Sequence, residues 1–112
     1  MRTDAMTAQD GDDSTNQAVY ETEMVIKNAA GLHMRPAMQF VDIVNRYDCD
    51  VKVSNGQTSV DGKSIMQMSM LAATYGTTLK VTAQGPGAQK LIEVLQELVE
   101  EKMFDEPPPD DE

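Results

Sequence analysis

Residues 31–37 read Gly-Leu-His-Met-Arg-Pro-Ala and mark the point where a strand pattern ends and a helix pattern begins. The glycine allows a sharp backbone turn. The proline fits the first turn of a helix, because its missing N–H would have no helical partner there. The single histidine of the chain, His33, is therefore expected at or next to a helix N-terminus.

The chemistry at this position favours phosphate. A helix start offers unpaired backbone N–H groups and a partial positive charge, which together attract phosphate. The same field disfavours an imidazolium ion, so we expect His33 in its neutral, nucleophilic form near neutral pH. Arg35 can add charge-assisted hydrogen bonds to a bound phosphate. These residues predict a phosphorylatable histidine, and an ordinary exposed histidine is the alternative that the short motif leaves open.

Regular patterns flank this junction on both sides. Period-2 alternation predicts a strand over 19–27, and helical spacing predicts a helix over 34–46. Asn55-Gly56 is a hairpin signal, because both positions of a type I′ turn need positive φ. The other predicted elements are strands over 51–54, 57–60 and 78–83, and helices from 64 to about 73 and from 88 to about 104.

The predicted order is β-α-β-β-α-β-α. Alternating strands need one covered face, and amphipathic helices supply the cover. We therefore predict an α+β fold, a two-layer open-faced sandwich in which three helices lie on one face of a four-stranded antiparallel sheet.

The net charge of −10 is concentrated at the two ends of the chain. Residues 1–23 contain one basic and six acidic residues, residues 105–112 contain five acidic residues, and residues 24–104 contain eight of each sign. Polar, acidic stretches without periodicity cannot build a core. We predict a disordered N-terminal extension over 1–18, one domain over 19–104 and a disordered, Pro-rich tail over 105–112.

Composition excludes several classes of function. An acidic chain lacks the basic surface that nucleic acid requires. No apolar run approaches the ~18 residues of a membrane span, and residues 1–18 lack the apolar segment of a signal peptide, so we expect a cytoplasmic protein without membrane insertion. Cys49 is alone, so it forms no internal disulfide and is expected as a small core or edge residue. With a single histidine besides, neither a metal site nor a cofactor is expected.

The second helix is more apolar than one buried stripe requires. It contains Ile65, Met66, Met68, Met70 and Leu71. We expect some of these side chains to reach the surface as a partner-docking patch, for which methionine is suited because it adapts its shape. The alternative is that all of them belong to the core. The residues predicted to dock a partner are Met34, Met38, Ile65, Met66 and Met70.

Two motifs and the element order resemble one known family. Residues 31–37 and the stretch Gly-Lys-Ser-Ile-Met at 62–66 are similar to those of HPr, the histidine-containing phosphocarrier of the phosphoenolpyruvate-dependent phosphotransferase system. The resemblance covers about residues 20–104. It implies a phosphoryl carrier in sugar transport, expected as a monomer, and not an enzyme.

The resemblance also implies roles and partners. His33 would accept a phosphoryl group through Nδ1 from phosphorylated Enzyme I and pass it to IIA components, and Arg35 would stabilise the phosphate. Ser64 matches the position that HPr kinase/phosphorylase modifies in some bacteria. Family members without that kinase also carry a serine there, so a plain helix cap is the other interpretation of Ser64. A regulatory adaptor controlled by Ser64, with little transport role, is the alternative function.

Two features depart from the family pattern. Met34 stands where the family usually has a small residue or threonine, and it places a large flexible side chain beside the predicted phosphate site. The acidic extensions are also atypical, and nothing in the sequence explains them.

Overall fold

Four strands form one antiparallel sheet in the computed structural model of this chain, which describes residues 18–109. The strands are β1 (Val19–Val25), β2 (Asp50–Ser54), β3 (Ser59–Asp61) and β4 (Thr78–Gln84). They lie in the order β1-β4-β2-β3, and all neighbours are antiparallel. The last strand in sequence therefore lies inside the sheet, where Val81 faces Thr22 on one side and Val53 on the other.

Two α-helices lie between strands in the chain, and a third follows the last strand. They are α1 (Met34–Val44), α2 (Ile65–Ser69) and α3 (Ala88–Gln96), and α3 continues into a π-helical turn (Glu97–Glu101) and a 3₁₀-type turn (Met103–Asp105). The helices predicted over 34–46 and from 64 to about 73 are shorter in the structure. Both end in i→i−3 hydrogen bonds, such as Tyr47 N–H to Val44 O at 3.1 Å and Leu71 N–H to Met68 O at 3.2 Å, which tighten the last turn and stop the α-helix.

The core lies between one face of the sheet and the helices. In β4, Leu79, Val81 and Ala83 are fully buried, while Lys80 between them is exposed. The helices cover this face with residues such as Phe40 of α1, which is also fully buried. The other face carries charges, including the 3.3 Å ion pair between Lys80 and Glu21. The predicted two-layer α+β architecture is confirmed.

Cys49 lies in this core at 1% exposure. Its thiol donates a hydrogen bond to the carbonyl oxygen of Pro86 at 3.1 Å, and burial raises the pKa of the thiol. A protonated, enclosed thiol is a packing group. The prediction of a small core residue is confirmed for this position.

The N-terminal extension predicted over 1–18 falls outside the described residues, apart from Ala18. Within residues 18–109, no helix combines the length and the apolar character needed to cross a membrane. The same residues bring no three potential metal ligands together.

Candidate functional site

His33 is the N-cap of α1. Its backbone is extended, with φ −84° and ψ −170°, and 44% of its side chain is exposed. The first hydrogen bond of the helix runs from Ala37 N–H to His33 O at 3.0 Å. The N–H groups of Met34 and Arg35 precede this bond, so they have no partner within the helix. The position predicted for His33 is confirmed.

Gly31 makes the sharp entry into α1 possible. Its φ is +77°, a region that L side chains rarely adopt, and a Cβ atom there would lie 2.7 Å from the carbonyl oxygen of Ala73 and 2.9 Å from the Cα of Thr74. The next residue, Leu32, donates its N–H to Ala73 O at 2.8 Å. Only glycine allows this close approach of two backbone segments, and the approach fixes the residue before His33.

The Glu106 carboxylate lies at the centre of the site. His33 Nε2 is 3.1 Å from its Oε1 and 3.0 Å from its Oε2. Arg35 Nη1 donates to Oε2 at 2.8 Å, and Asn28 Nδ2 donates to Oε1 at 2.9 Å. The Glu106 side chain is only 13% exposed, whereas that of Arg35 is 57% exposed. Three side chains from the β1–α1 segment thus converge on one carboxylate from the C-terminal end.

Asn28 holds this arrangement from the buried side of the site. It is fully buried, and its Nδ2 also donates to Gly31 O at 2.8 Å. Its Oδ1 has no hydrogen-bond partner within residues 18–109. The amide is therefore held in place by the two bonds that it donates, one to the loop before His33 and one to Glu106.

The pKa of the Glu106 carboxyl is lowered. Burial alone would raise it, but the hydrogen bonds from His33, Asn28 and Arg35 and the charge of a protonated His33 favour the ionised form more strongly. Because the pKa of Glu106 in the folded chain lies below the ordinary glutamate value, the stability that this contact contributes is fully present above that ordinary value. It is lost only as the pH falls through the lowered pKa, so Glu106 is a carboxylate at neutral pH.

An unusual turn brings Glu106 to the site. Met103, Phe104 and Asp105 all have positive φ, at 50°, 55° and 60°, and Phe104 is fully buried. After Glu106, the carbonyl oxygen of Pro107 accepts a hydrogen bond from Ala29 N–H at 3.0 Å. The chain is thus fixed on both sides of the carboxylate.

These contacts correct two expectations. The predicted third helix does not reach Phe104 as a regular helix, because the chain reverses its backbone twist at residues 103–105 to bury the aromatic ring. The tail predicted as disordered from residue 105 has defined contacts at Glu106 and Pro107. The one sequence signal for this attachment was an isolated aromatic residue after the last amphipathic turn.

The apolar side chains over 65–71 are partly buried and partly exposed. Met68 and Leu71, which are not among the predicted docking residues, belong to the core. Met66 and Met70 are exposed at 77% and 68%. A shallow, mainly apolar groove lies beside His33, lined by Met34, Met38, Val41, Asp42, Asn45, Ile65, Met66 and Ser69. The structure thus brings together four of the five predicted docking residues and leaves Met70 outside this groove.

Ser64 caps α2, and its Oγ accepts a hydrogen bond from Gln67 N–H at 3.2 Å. We expect Ser64→Ala to lower the free energy of unfolding by about 1 kcal/mol, the usual cost of a lost serine cap. Urea unfolding followed by circular dichroism measures this loss. Ser69→Ala is the matched control, because Ser69 Oγ only donates to Met66 O and caps no helix start. Equal losses of unfolding free energy for the two variants would show that Ser64 does not stabilise α2 as a cap.

A family model described as the phosphorylation site of the HPr component of the phosphotransferase system matches residues 20–101. The chain belongs to the HPr family. HPr proteins are phosphocarriers of the phosphotransferase system and not catalytic enzymes.

Known HPr proteins are similar over most of the chain. The phosphocarrier protein HPr of Pseudomonas aeruginosa is 44% identical over 85 residues, which cover 75% of this chain and 93% of that protein. HPr of Vibrio cholerae is 34% identical and covers 74% of this chain and 98% of its own length. The crystal structure of an HPr from Thermoanaerobacter tengcongensis superposes with a TM-score of 0.73 at 33% identity, covering 78% of this chain and 97% of that one. Glu106 lies beyond the residues that the HPr family model matches.

Proposed function

We propose that this chain accepts a phosphoryl group on His33 Nδ1 from phosphorylated Enzyme I and passes it to IIA components of the phosphotransferase system. The observation that carries the proposal is the placement of His33. It is the exposed N-cap of α1, it lies two residues from Arg35, and it borders the apolar groove between α1 and α2. The proposal places the protein in the cytoplasm, acting as a monomer.

The transfer needs positioning and charge more than acid–base catalysis. The Nδ1 lone pair attacks phosphorus, and the bond between phosphorus and the donor breaks with its electron pair leaving on the donor atom. Arg35 and the free N–H groups at the start of α1 offset the charge on the phosphoryl oxygens. Transfer to the acceptor is the same step in reverse, so the site serves both directions.

The groove supports docking of the two protein partners. Its exposed methionines offer an adaptable apolar surface within reach of the phosphorylated residue. Met34 belongs both to this groove and to the first turn of α1. We therefore propose that Met34, Met38, Ile65 and Met66 contact Enzyme I and the IIA components, and that Met70 contributes at the rim.

The experiment that tests the proposal is incubation with phosphoenolpyruvate and a cognate Enzyme I, followed by intact mass measurement. We expect one added phosphate that is labile in acid, as a phosphoramidate is, and that moves to an added IIA protein. An acid-stable phosphate, or none, would contradict a relay through His33.

Arg35→Ala tests the charge stabilisation. We expect the rate of phosphoryl transfer to fall roughly ten- to a hundredfold, which corresponds to the loss of one hydrogen bond to a charged group, about 1.5–3 kcal/mol. Rapid-quench kinetics measure the rate, and titration calorimetry with Enzyme I measures docking. Arg46→Ala is the matched control for the transfer rate, because Arg46 follows the last residue of α1 and its ion pair among the described residues is with Asp42, away from Glu106. An unchanged rate would exclude Arg35 from the transfer step.

A regulatory adaptor is the second candidate, and the position of Ser64 favours it. Ser64 directly precedes Ile65, which lines the groove. Phosphorylation by HPr kinase/phosphorylase would add nearly two negative charges beside an apolar docking surface. Incubation with that kinase and ATP distinguishes the two functions, since a phosphoserine is stable in acid and a phosphohistidine is not.

A further inference from the structure

We infer that Glu106 is a positioning residue that holds His33 with the proton on Nε2, so that Nδ1 presents its lone pair to the phosphoryl donor. The inference rests on the proposed function of His33. It assigns a role to a carboxylate that lies outside the matched family segment, residues 20–101.

The tautomer follows from the chemistry of the contact. An ionised carboxylate has no proton to donate, so a neutral imidazole that bonds it must carry its hydrogen on the contacting nitrogen. Both Glu106 oxygens lie within 3.1 Å of His33 Nε2. Nε2 is therefore the protonated nitrogen, and Nδ1 is the nucleophile.

The carboxylate also balances charge during the transfer. When the Nδ1 lone pair forms the bond to phosphorus, the ring keeps its Nε2 proton and gains positive charge. Glu106 lies 3.0 Å from that proton-bearing nitrogen and stabilises the charge as it develops. No proton needs to leave the ring, so the step requires no base.

Packing and hydrogen bonds fix the chain on both sides of Glu106. Phe104 is buried on one side of it, and Pro107 O is bonded to Ala29 N–H on the other. The three residues 103–105 adopt left-handed backbone conformations without a glycine among them, each of which is unfavourable. Asn28 adds a bond from the buried side. The strained turn is thus the segment that brings the Glu106 carboxylate into contact with His33.

Glu106→Gln is the direct test, because the amide keeps the size of the side chain and removes its charge. Asp105→Asn is the matched control, since it makes the same change at the adjacent exposed residue. The first measurement is ¹⁵N NMR of the His33 ring at about pH 8.5, two units above the ordinary imidazole value. Wild type and Asp105→Asn are expected to show an Nε2-bound proton with slowed exchange. In Glu106→Gln we expect that proton signal to disappear and the two ring nitrogens to average toward mixed tautomers.

The second measurement is the rate of phosphoryl transfer from Enzyme I. We expect Glu106→Gln to slow it on the order of tenfold, the effect of one charge-assisted hydrogen bond, with Asp105→Asn unchanged. An unchanged or faster rate would overturn the inference. The carboxylate would then contribute nothing to transfer through His33 and would serve only as the ion-pair partner of Arg35. An unaltered ring tautomer would overturn it as well. If wild type takes up no phosphate at all, the proposed function fails, and the NMR comparison still decides whether Glu106 fixes the ring.

Discussion

His33→Ala is expected to abolish phosphoryl acceptance completely. Within the proposed relay, His33 Nδ1 is the atom that forms the bond to phosphorus, and no other imidazole exists in the chain to replace it. The variant incubated with phosphoenolpyruvate and Enzyme I is expected to keep its unmodified mass, under conditions in which wild type gains one acid-labile phosphate. Any retained acid-labile phosphate would show that another residue carries the group.

The fold of this variant is expected to survive. The His33 ring is 44% exposed, and within residues 18–109 its hydrogen bonds go to Glu106 alone, so the variant loses about one hydrogen bond, roughly 0.5–1.5 kcal/mol. Urea unfolding followed by circular dichroism checks this. A far larger loss would mean that the missing phosphate reflects unfolding, and Arg35→Ala, which leaves the histidine in place, would then be the variant to compare.

The elements that the sequence predicts well are those governed by local pattern. The alternation of Leu79, Val81 and Ala83 with Lys80 describes a strand with one buried face, and the structure buries those three residues and exposes the lysine. Gly31 is predicted to turn the chain, and its φ of +77° confirms the turn. Burial on one face and backbone freedom at one glycine are properties of single residues and their immediate neighbours, so a sequence pattern can express them.

The docking surface shows where pattern becomes ambiguous. The sequence predicts that some apolar residues of the second helix are buried and others exposed. Periodicity alone does not assign each methionine to the core or to the surface. The structure buries Met68 and exposes Met66. Since α2 has only five residues, the assignment depends on how it is oriented against α1. That orientation is a tertiary property.

Glu106 could not be predicted from local pattern at all. Its place beside His33 is 73 positions distant in sequence, and the segment around it is acidic and Pro-rich, which is typical of disorder. The burial of Phe104 reverses the backbone twist against local preference, as packing often does. A carboxylate in an apparent tail thus becomes part of the site through one aromatic anchor.

Phe104→Ala is therefore expected to have the largest effect on stability and a second effect on the site. Removing a fully buried phenylalanine typically lowers the free energy of unfolding by about 3–5 kcal/mol. The left-handed turn at residues 103–105 then loses the packing that offsets its strain, so Glu106 should leave His33. Urea unfolding measures the first effect, and the exchange of the His33 Nε2 proton measures the second.

The control for this variant is Phe104→Leu, which keeps an apolar side chain in the cavity and should lose less stability and retain the contact to His33. Glu106→Gln is the complementary variant, because it removes the negative charge from the same contact without emptying the core. If Phe104→Ala lost stability but kept the slow exchange of the Nε2 proton, the anchor would be dispensable. The bond between Ala29 N–H and Pro107 O would then be sufficient to hold Glu106. If proton exchange rises in Phe104→Ala and Glu106→Gln but not in Phe104→Leu, the buried ring is what places the carboxylate.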